Sequence, residues 1–248
     1  MVLISILLFS LRAVFLGVFT VMTMFYGLLV FPFIFRSKNK IYQLAYFFNI
    51  VAPILGFRVE SRIPTSAKAV KQAVYVGNHQ NNADLFCLSH IVAKGVVTVG
   101  KRSLVWIPFF GILYWISGNF LINRTNRKQA LATIDQIVVQ MRKTELSIMM
   151  FPEGTRSRGR GLLPFKAGAF HAAIQAGVPI VPFVCSDTHD QVQLGRWNNG
   201  NVIVEVLDPI STEGLSSSDA NKLMHECREK MLAKWEELNE ELEPVNKL

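Results

Sequence analysis

The chain begins with a long run of apolar residues. Within residues 1–35 the only charged residue is Arg12, and residues 13–35 contain none. Such a run is long enough for a helix that crosses a bilayer or lies within it. Pro32 predicts that the helix ends near Val30, because proline disfavours the helical conformation at the residue before it. The run is much longer than the apolar core of a cleaved signal peptide, so we expect the segment to be retained.

A second uncharged stretch covers residues 41–57 and is separated from the first by Arg36, Lys38 and Lys40. The pattern predicts two apolar helices joined by a basic turn, which together form a membrane anchor over residues 1–60. If both helices crossed the bilayer, the basic turn would lie on the far side, which the positive-inside tendency disfavours. We therefore favour an anchor that enters a single leaflet. The alternative, burial of both helices in a soluble core, would require a larger partner surface.

Beyond the anchor, short β-branched or apolar runs alternate with segments of helical periodicity. This alternation predicts an α/β domain over residues 61–248, with a mostly parallel or mixed sheet flanked by helices. Helices are predicted at residues 130–142 and 166–176, and an amphipathic helix with apolar positions from Leu223 to Leu242 follows near the C-terminus. In such folds, binding groups gather where strands end and helices begin. The predicted strands cover residues 73–76, 96–99, 120–122, 147–151, 180–184 and 202–206.

The composition points toward lipid. Hydrophobic residues make up 50% of the chain, charged residues make up 18%, and the mean hydropathy is +0.29. These values argue against disorder and against an ordinary soluble surface. The formal net charge is +8, and the basic surplus lies beside the apolar segment and in residues 74–204. That distribution suits an enzyme on anionic lipid, and without a basic stripe or a recognition helix we predict no nucleic-acid partner.

The cysteine and histidine spacings predict neither disulfides nor a metal site. Cys87, Cys185 and Cys227 are far apart and form no C-x-x-C pair, which indicates a reducing compartment. His90 and His225 have no partners at metal-binding spacing. Because the chain contains neither a dinucleotide fingerprint nor a phosphate loop, we expect no cofactor.

The first candidate for chemistry follows the strand at residues 73–76, in the sequence G-N-H-Q-N-N-A-D that ends at Asp84. Five residues turn a helix by about 500°, so His79 and Asp84 cannot share one helical face. If the chain turns between them, the carboxylate can accept a hydrogen bond from Nδ1 and leave Nε2 free as a base.

A protein nucleophile is missing from the sequence. The chain contains no G-x-S-x-G elbow, and no serine or cysteine lies in a setting that resembles one. The pattern therefore favours a nucleophile that comes with the substrate, as a hydroxyl that His79 deprotonates. His171, within the predicted helix at residues 166–176, is interpreted as structural.

Residues 151–157 read F-P-E-G-T-R-S and follow an apolar strand. Gly154 allows backbone amides to approach an anion closely, and Arg156 offers a planar fork for phosphate. For Arg158 and Arg160 a solvated basic loop is the favoured interpretation.

Two further segments accompany these. Residues 118–124 read G-N-F-L-I-N-R, which predicts a short strand that delivers Arg124 to a strand end. Residues 178–183 read V-P-I-V-P-F. The two prolines predict an edge strand or the wall of a groove, because proline cannot donate to a sheet ladder.

Together, the four segments resemble the glycerolipid acyltransferase family, and most closely its bacterial members that act on 1-acyl-sn-glycerol 3-phosphate. Each segment alone is weak evidence for the family. Four segments in the family's order and spacing, behind an apolar N-terminal segment, are a very specific match to it. The resemblance covers nearly the whole chain. Its boxes are N-H-x-x-x-x-D at residues 78–84, G-x-F-x-x-x-R at 118–124, F-P-E-G-T-R-S at 151–157 and V-P-I-V-P-F at 178–183.

The resemblance implies roles for individual residues. It implies that residues 61–248 form an acyltransferase domain with His79 and Asp84 as the catalytic pair. Asn123 departs from the pattern, since many members have aspartate before the arginine, so we assign it no catalytic task. Lys101 and Arg102 are candidates for a further phosphate contact, with a surface role as the alternative. The residues implied to bind the phosphoglycerol head are Arg124, Glu153, Gly154, Thr155, Arg156 and Lys101.

The resemblance also implies a reaction and a location. The reaction is acyl transfer from acyl-carrier protein or coenzyme A to the sn-2 hydroxyl of lysophosphatidic acid, giving phosphatidic acid. The expected location is the bacterial inner membrane, on its anionic surface, with the active site facing the cytoplasm. Three alternatives stay open at this point: acylation of glycerol 3-phosphate or another lysophospholipid, a lipid esterase, and a non-enzymatic membrane scaffold.

Overall fold

A computed structural model describes residues 2–34 and 37–246, so Arg36 of the predicted basic turn lies outside the described residues. Within that part of the chain, seven strands form one sheet in the order β1-β7-β6-β2-β5-β3-β4. All neighbouring strands are parallel except β6 and β7. The strands are β1 Arg58–Arg62, β2 Val74–Gly77, β3 Val96–Lys101, β4 Phe120–Ile122, β5 Ser147–Met150, β6 Ile180–Cys185 and β7 Asn201–Val206.

Helices cover both faces of the sheet, which confirms the predicted α/β class. Because side chains alternate along a strand, Val74 and Val76 of β2 face one apolar cluster with the helices at residues 127–144, 168–176 and 220–246, while Tyr75 faces another with the helices at residues 51–54 and 84–87. Three short 3₁₀ segments, Leu88–Ile91, Arg102–Trp106 and Ser217–Asp219, connect elements. The helices are α1 Val2–Val30, α2 Lys40–Asn49, α3 Val51–Ile54, α4 Thr65–Lys68, α5 Asp84–Cys87, α6 Phe110–Ile116, α7 Arg127–Thr144, α8 Gly168–Ala176 and α9 Ala220–Asn246.

The six predicted strands are found within two residues of their predicted bounds, but β1 was missed. Its sequence R-V-E-S-R is mostly charged, and it pairs only with β7 at the edge of the sheet. The edge position predicted for residues 180–184 is wrong, since β6 lies between β7 and β2 and is buried along its length. Pro182 is tolerated there because its carbonyl still accepts from the Leu207 N–H, so the sheet loses a single bond.

The predicted anchor of two helices is also corrected. Among the described residues, only α1 is long and apolar enough to cross a membrane. Residues 41–57 instead form the ten-residue α2 and the four-residue α3, whose buried side chains include Leu44, Val51 and Ala52. The predicted division at residue 60 falls within β1.

The helix α1 lies along the domain and is fixed to it at two positions. The buried Arg12 side chain donates to the carbonyls of Ile54 at 2.9 Å and Leu194 at 3.0 Å. Toward the other end, Gly27 packs against Leu113 of α6. A helix of 29 residues is about 43 Å long, so its outward face presents an extended apolar surface. The hydrogen bonds from Arg12 to the Ile54 and Leu194 carbonyls explain why a charged residue is stable within an otherwise apolar helix.

Candidate active site

His79 and Asp84 meet at the carboxyl end of β2. The chain leaves the sheet after Gly77, and α5 begins at Asp84. Nδ1 of His79 lies 2.6 Å from Oδ2 of Asp84, as the sequence predicts for a chain that turns between them. The same oxygen accepts from the backbone N–H of Gln80 at 2.6 Å, so the buried carboxylate is held in place. This contact leaves Nε2 available for a substrate proton.

The residues on either side of His79 attach its loop to the end of β6. The Asn78 side chain donates to the Cys185 carbonyl and accepts from the Cys185 N–H, each at 2.8 Å. The Gln80 side chain donates to the Ser186 carbonyl at 2.7 Å. Buried amide side chains with both groups paired form rigid contacts. They fix the backbone on both sides of His79 and hence the direction of its ring.

The F-P-E-G-T-R-S loop packs directly on the histidine. The His79 ring stacks on Phe151, with ring centroids 4.5 Å apart and planes inclined by 22°. The His79 carbonyl accepts from the Ser157 N–H at 2.8 Å. The His79 N–H donates to Oε1 of Glu153 at 2.8 Å. Because β2 and β5 are neighbours in the sheet, two distant sequence segments become one site.

Glu153 lies beneath this loop rather than on its surface. Glu153 is 4% exposed, and its Oε2 accepts from the Leu163 N–H at 3.1 Å. Burial raises the pKa of Glu153 to about 7; the Asp84 charge adds to that rise, whereas the two backbone hydrogen bonds oppose it. Since both oxygens bind backbone amides, the geometry favours a positioning role. Direct contact with a head group stays a prediction.

We expect Glu153→Gln to change how stability depends on pH. A carboxyl whose pKa is raised on folding contributes most to the free energy of unfolding below about pH 4, and that contribution is lost as the pH rises to about 7. The free energy of unfolding lost over this range is about 3 kcal/mol. Thermal unfolding in detergent micelles from about pH 5 to 8 should therefore show the Tm of the wild type falling relative to that of Glu153→Gln. Glu229→Gln, an exposed position on α9, is the control. Parallel Tm curves for wild type and Glu153→Gln would contradict the shift.

Cationic side chains surround Gly154. Nη1 of Arg124 donates to the Gly154 carbonyl at 2.6 Å. On the other side, Nζ of Lys166 lies 3.1 Å from the place that a Cβ on residue 154 would occupy. Gly154 has a φ of +71°, a conformation that L residues rarely adopt. Thr155 and Arg156 follow it on the exposed part of the same loop.

Lys166 was missed by the sequence analysis. It was included only as the first residue of a predicted helix at 166–176, whereas α8 begins at Gly168. The Lys166 N–H donates to the Pro152 carbonyl at 2.9 Å, which holds the lysine beside the loop. A sequence signal for this role is the position of Lys166 just before a helix and shortly after the glycine-containing loop.

Lys101 and Arg124 share one cavity. Lys101 is the last residue of β3 and pairs with Ile122, the last residue of β4. Both cations therefore leave the sheet at the same edge. They line a cavity of about 290 Å³ together with Arg102 and Trp106. A larger cavity of about 950 Å³, between α1 and residues 193–197, is lined by none of the predicted site residues.

The site as a whole is built on the carboxyl ends of four neighbouring parallel strands, β2, β5, β3 and β4. This is the edge at which ligands bind in open α/β sheets. Within the described part of the chain, no three His, Cys, Asp or Glu side chains converge as metal ligands. The arrangement can take a proton from a hydroxyl at one end and hold an anion at the other.

Three comparisons with known proteins show what the chain is similar to. The Acyltransferase family model matches residues 58–186. A "1-acyl-sn-glycerol-3-phosphate acyltransferase" of Haemophilus influenzae is 49% identical over 212 residues, 86% of this chain and 88% of that protein. The protein of the same name from Escherichia coli is 45% identical over 236 residues, 95% of this chain and 96% of that protein. The crystal structure of the 1-acyl-sn-glycerophosphate acyltransferase from Thermotoga maritima superposes with a TM-score of 0.66 at 23% identity, covering 96% of this chain and 95% of that one.

Proposed function

Because this chain belongs to the acyltransferase family, we propose that it transfers an acyl chain to the sn-2 hydroxyl of 1-acyl-sn-glycerol 3-phosphate, forming phosphatidic acid. The observation that carries the proposal is the His79–Asp84 contact at the same sheet edge as a cluster of cations. A base without a protein nucleophile requires a substrate alcohol, and the cations suit an alcohol that carries a phosphate.

The chemical step needs only groups already described. Nε2 of His79 takes the proton of the sn-2 hydroxyl while the hydroxyl oxygen attacks the thioester carbon of the donor. The carbon–sulfur bond then breaks, and the imidazolium returns the proton to the leaving thiolate, so that charge and atoms balance. The Asp84 carboxylate orients the ring through Nδ1 and stabilises the imidazolium. General-base catalysis of this kind contributes roughly 100-fold to 10,000-fold.

The phosphate is bound by cationic side chains that lie near Gly154. Arg124 and Lys101 line the cavity, while Arg156 and Lys166 flank the glycine loop. Arginine forms bidentate hydrogen bonds with phosphate, and lysine acts as a point charge. Binding the acceptor at its phosphate presents its hydroxyl to the base.

The donor is an acyl thioester of acyl-carrier protein or coenzyme A, and the location is the cytoplasmic face of the bacterial inner membrane. The exposed apolar face of α1 supports membrane attachment. Because Arg12 fixes α1 to Ile54 and Leu194 of the domain, the helix is suited to lie in one leaflet rather than to cross independently.

The test is an acyl-transfer assay with purified protein in detergent micelles. Labelled palmitoyl thioesters of acyl-carrier protein and of coenzyme A are offered with lysophosphatidic acid, and with glycerol 3-phosphate as competing acceptor. We expect lysophosphatidic acid to be converted to labelled phosphatidic acid. We expect glycerol 3-phosphate to yield little labelled lysophosphatidic acid. Folded protein that acylates neither acceptor would overturn the proposal. Preferred acylation of glycerol 3-phosphate would show that glycerol 3-phosphate, and not lysophosphatidic acid, is the acceptor.

Arg156→Ala should weaken binding of the phosphorylated acceptor. The loss of a charge-assisted contact with phosphate is expected to raise the KM for lysophosphatidic acid about tenfold or more, with kcat changed less. The matched control is Arg158→Ala, which removes the same charge two residues away on the exposed loop. An unchanged KM in Arg156→Ala, or an equal rise in both variants, would refute a specific role for Arg156.

A further inference from the structure

The chain segment that connects β3 to β4 carries an exposed apolar ridge. We define it as residues 105–115, which include the end of one 3₁₀ segment and most of α6. Trp106 is 83% exposed, Phe109 63%, Ile112 56% and Trp115 68%. Exposed apolar residues are ordinary when scattered, but so many large side chains within eleven residues form a patch that marks an interaction site.

The backbone keeps this ridge in an unusual conformation. Phe109 precedes α6 with a φ of +61°, which is strained for a bulky residue that is not glycine. Its side chain gains little burial inside the protein in return, because it is mostly exposed. Strain at an exposed aromatic residue is explained if the side chain is buried against a partner instead.

The ridge adjoins the apolar face of α1. Leu113 of α6 packs on Gly27 of α1, and Ile116 accepts a hydrogen bond from Nζ of Lys40 at 2.8 Å. Near this contact, α1 exposes Phe25 and Leu29. The ridge therefore adjoins α1, which packs on the face of the sheet opposite α7 and α9.

The charge around the ridge is positive. Residues 85–134 contain no aspartate or glutamate, while Lys101, Arg102 and Lys128 are exposed there. Trp106 itself lines the cavity that contains Arg124, so the ridge borders the cationic cavity directly. Tryptophan is enriched at the membrane interface, and lysine and arginine bind anionic lipid. Both features fit the surface of an anionic bilayer.

We propose that residues 105–115 sit in the interfacial region of an anionic phospholipid bilayer, and that the acceptor passes over this ridge from the membrane into the cavity at Arg124. The acyl chain of the acceptor stays in lipid while its phosphate moves a short distance to the cations. This inference rests on the proposed function, since it assumes that the acceptor is a membrane lipid with a phosphate.

The position of the ridge is tested by fluorescence quenching. The variant Trp106→Phe/Trp197→Phe/Trp235→Phe keeps only Trp115, and a companion variant keeps only Trp235, which packs on the opposite apolar cluster. Both are bound to vesicles of phosphatidylglycerol and brominated phosphatidylcholine. We expect Trp115 to lose most of its fluorescence and Trp235 to lose little. Equal emission from Trp115 with brominated and ordinary lipid, or failure to bind the vesicles, would overturn the inference.

The delivery of the acceptor is tested by kinetics with Ile112→Ser/Trp115→Ser, which changes two ridge residues that do not line the cavity. Its matched control is Leu131→Ser/Val139→Ser on α7, where both side chains are 49% exposed. For long-chain lysophosphatidic acid in vesicles, we expect the apparent KM of the ridge variant to rise about tenfold, with the control unchanged. For a short-chain acceptor dissolved as monomers, both variants should behave as wild type.

The outcomes separate the two proposals. If wild type acylates neither acceptor, the proposed function fails. If wild type acylates both and the ridge variant has an unchanged KM for the vesicle-bound acceptor, only the role of the ridge is refuted. An equal loss with the dissolved acceptor would also refute it, because the substitutions would then act on the site itself.

Discussion

His79→Ala is expected to lose about 100-fold to 10,000-fold in kcat for acyl transfer to lysophosphatidic acid, because no other described side chain occupies the position of the proposed base. The ring is the only part of His79 that the substitution removes. The backbone contacts with Glu153 and Ser157, which join the two loops, do not depend on it. The protein should therefore still fold and bind vesicles.

The control is His171→Ala, which removes an imidazole from α8 and should keep activity within about twofold of wild type. Folding of both variants is checked by Tm in detergent micelles and attachment by co-sedimentation with vesicles. Transfer at the wild-type rate by folded His79→Ala protein would exclude this histidine as the base. A loss that appears equally in His171→Ala would indicate a general effect on structure.

The sequence predicted the sheet well because its central strands are short apolar runs bounded by turns, a pattern with few interpretations. It missed β1 because an edge strand of alternating charged residues resembles a loop. It misplaced β6 because proline usually indicates an edge, and only the three-dimensional pairing of Pro182 with Leu207 reveals that a single bond is lost.

The anchor was overestimated for a related reason. An uncharged stretch such as residues 41–57 is compatible with a membrane anchor and with a protein core, and the outcome depends on what packs against it. In the structure, Leu44 and Val51 are buried in the protein. Arg12, by contrast, could be recognised in sequence as an isolated charge, but its carbonyl partners near Ile54 and Leu194 are too distant along the chain to be inferred.

Within the candidate site, sequence reasoning succeeded where residues are close in the chain and failed where they meet only in space. The turn that joins His79 to Asp84 spans five residues and was predicted. The burial of Glu153 under the histidine loop and the approach of Lys166 to Gly154 depend on neighbouring strands and were not. Residue spacing constrains local geometry, whereas sheet order determines which loops meet.

Asp84→Asn is expected to lower kcat by about 100-fold to 10,000-fold while the KM for lysophosphatidic acid changes little. The backbone N–H of Gln80 binds Oδ2, so the amide oxygen of asparagine should occupy that position and its NH₂ group the position of Oδ1. Because Oδ1 has no hydrogen-bond partner among the described residues, the variant should fold without loss of a contact. What is lost is the negative charge that, in the proposed mechanism, stabilises the imidazolium when His79 holds the substrate proton.

The split between kcat and KM distinguishes this proposed role from a structural one, because Asp84 contacts His79 and does not line the cavity that contains Lys101 and Arg124. Asp135→Asn, an exposed position on α7, is the matched control and should have wild-type kinetics. A raised KM with unchanged kcat would assign Asp84 to acceptor binding. Full activity in a folded Asp84→Asn protein would show that the charge of this carboxylate is not needed, and that the ring of His79 is held well enough by its stacking on Phe151.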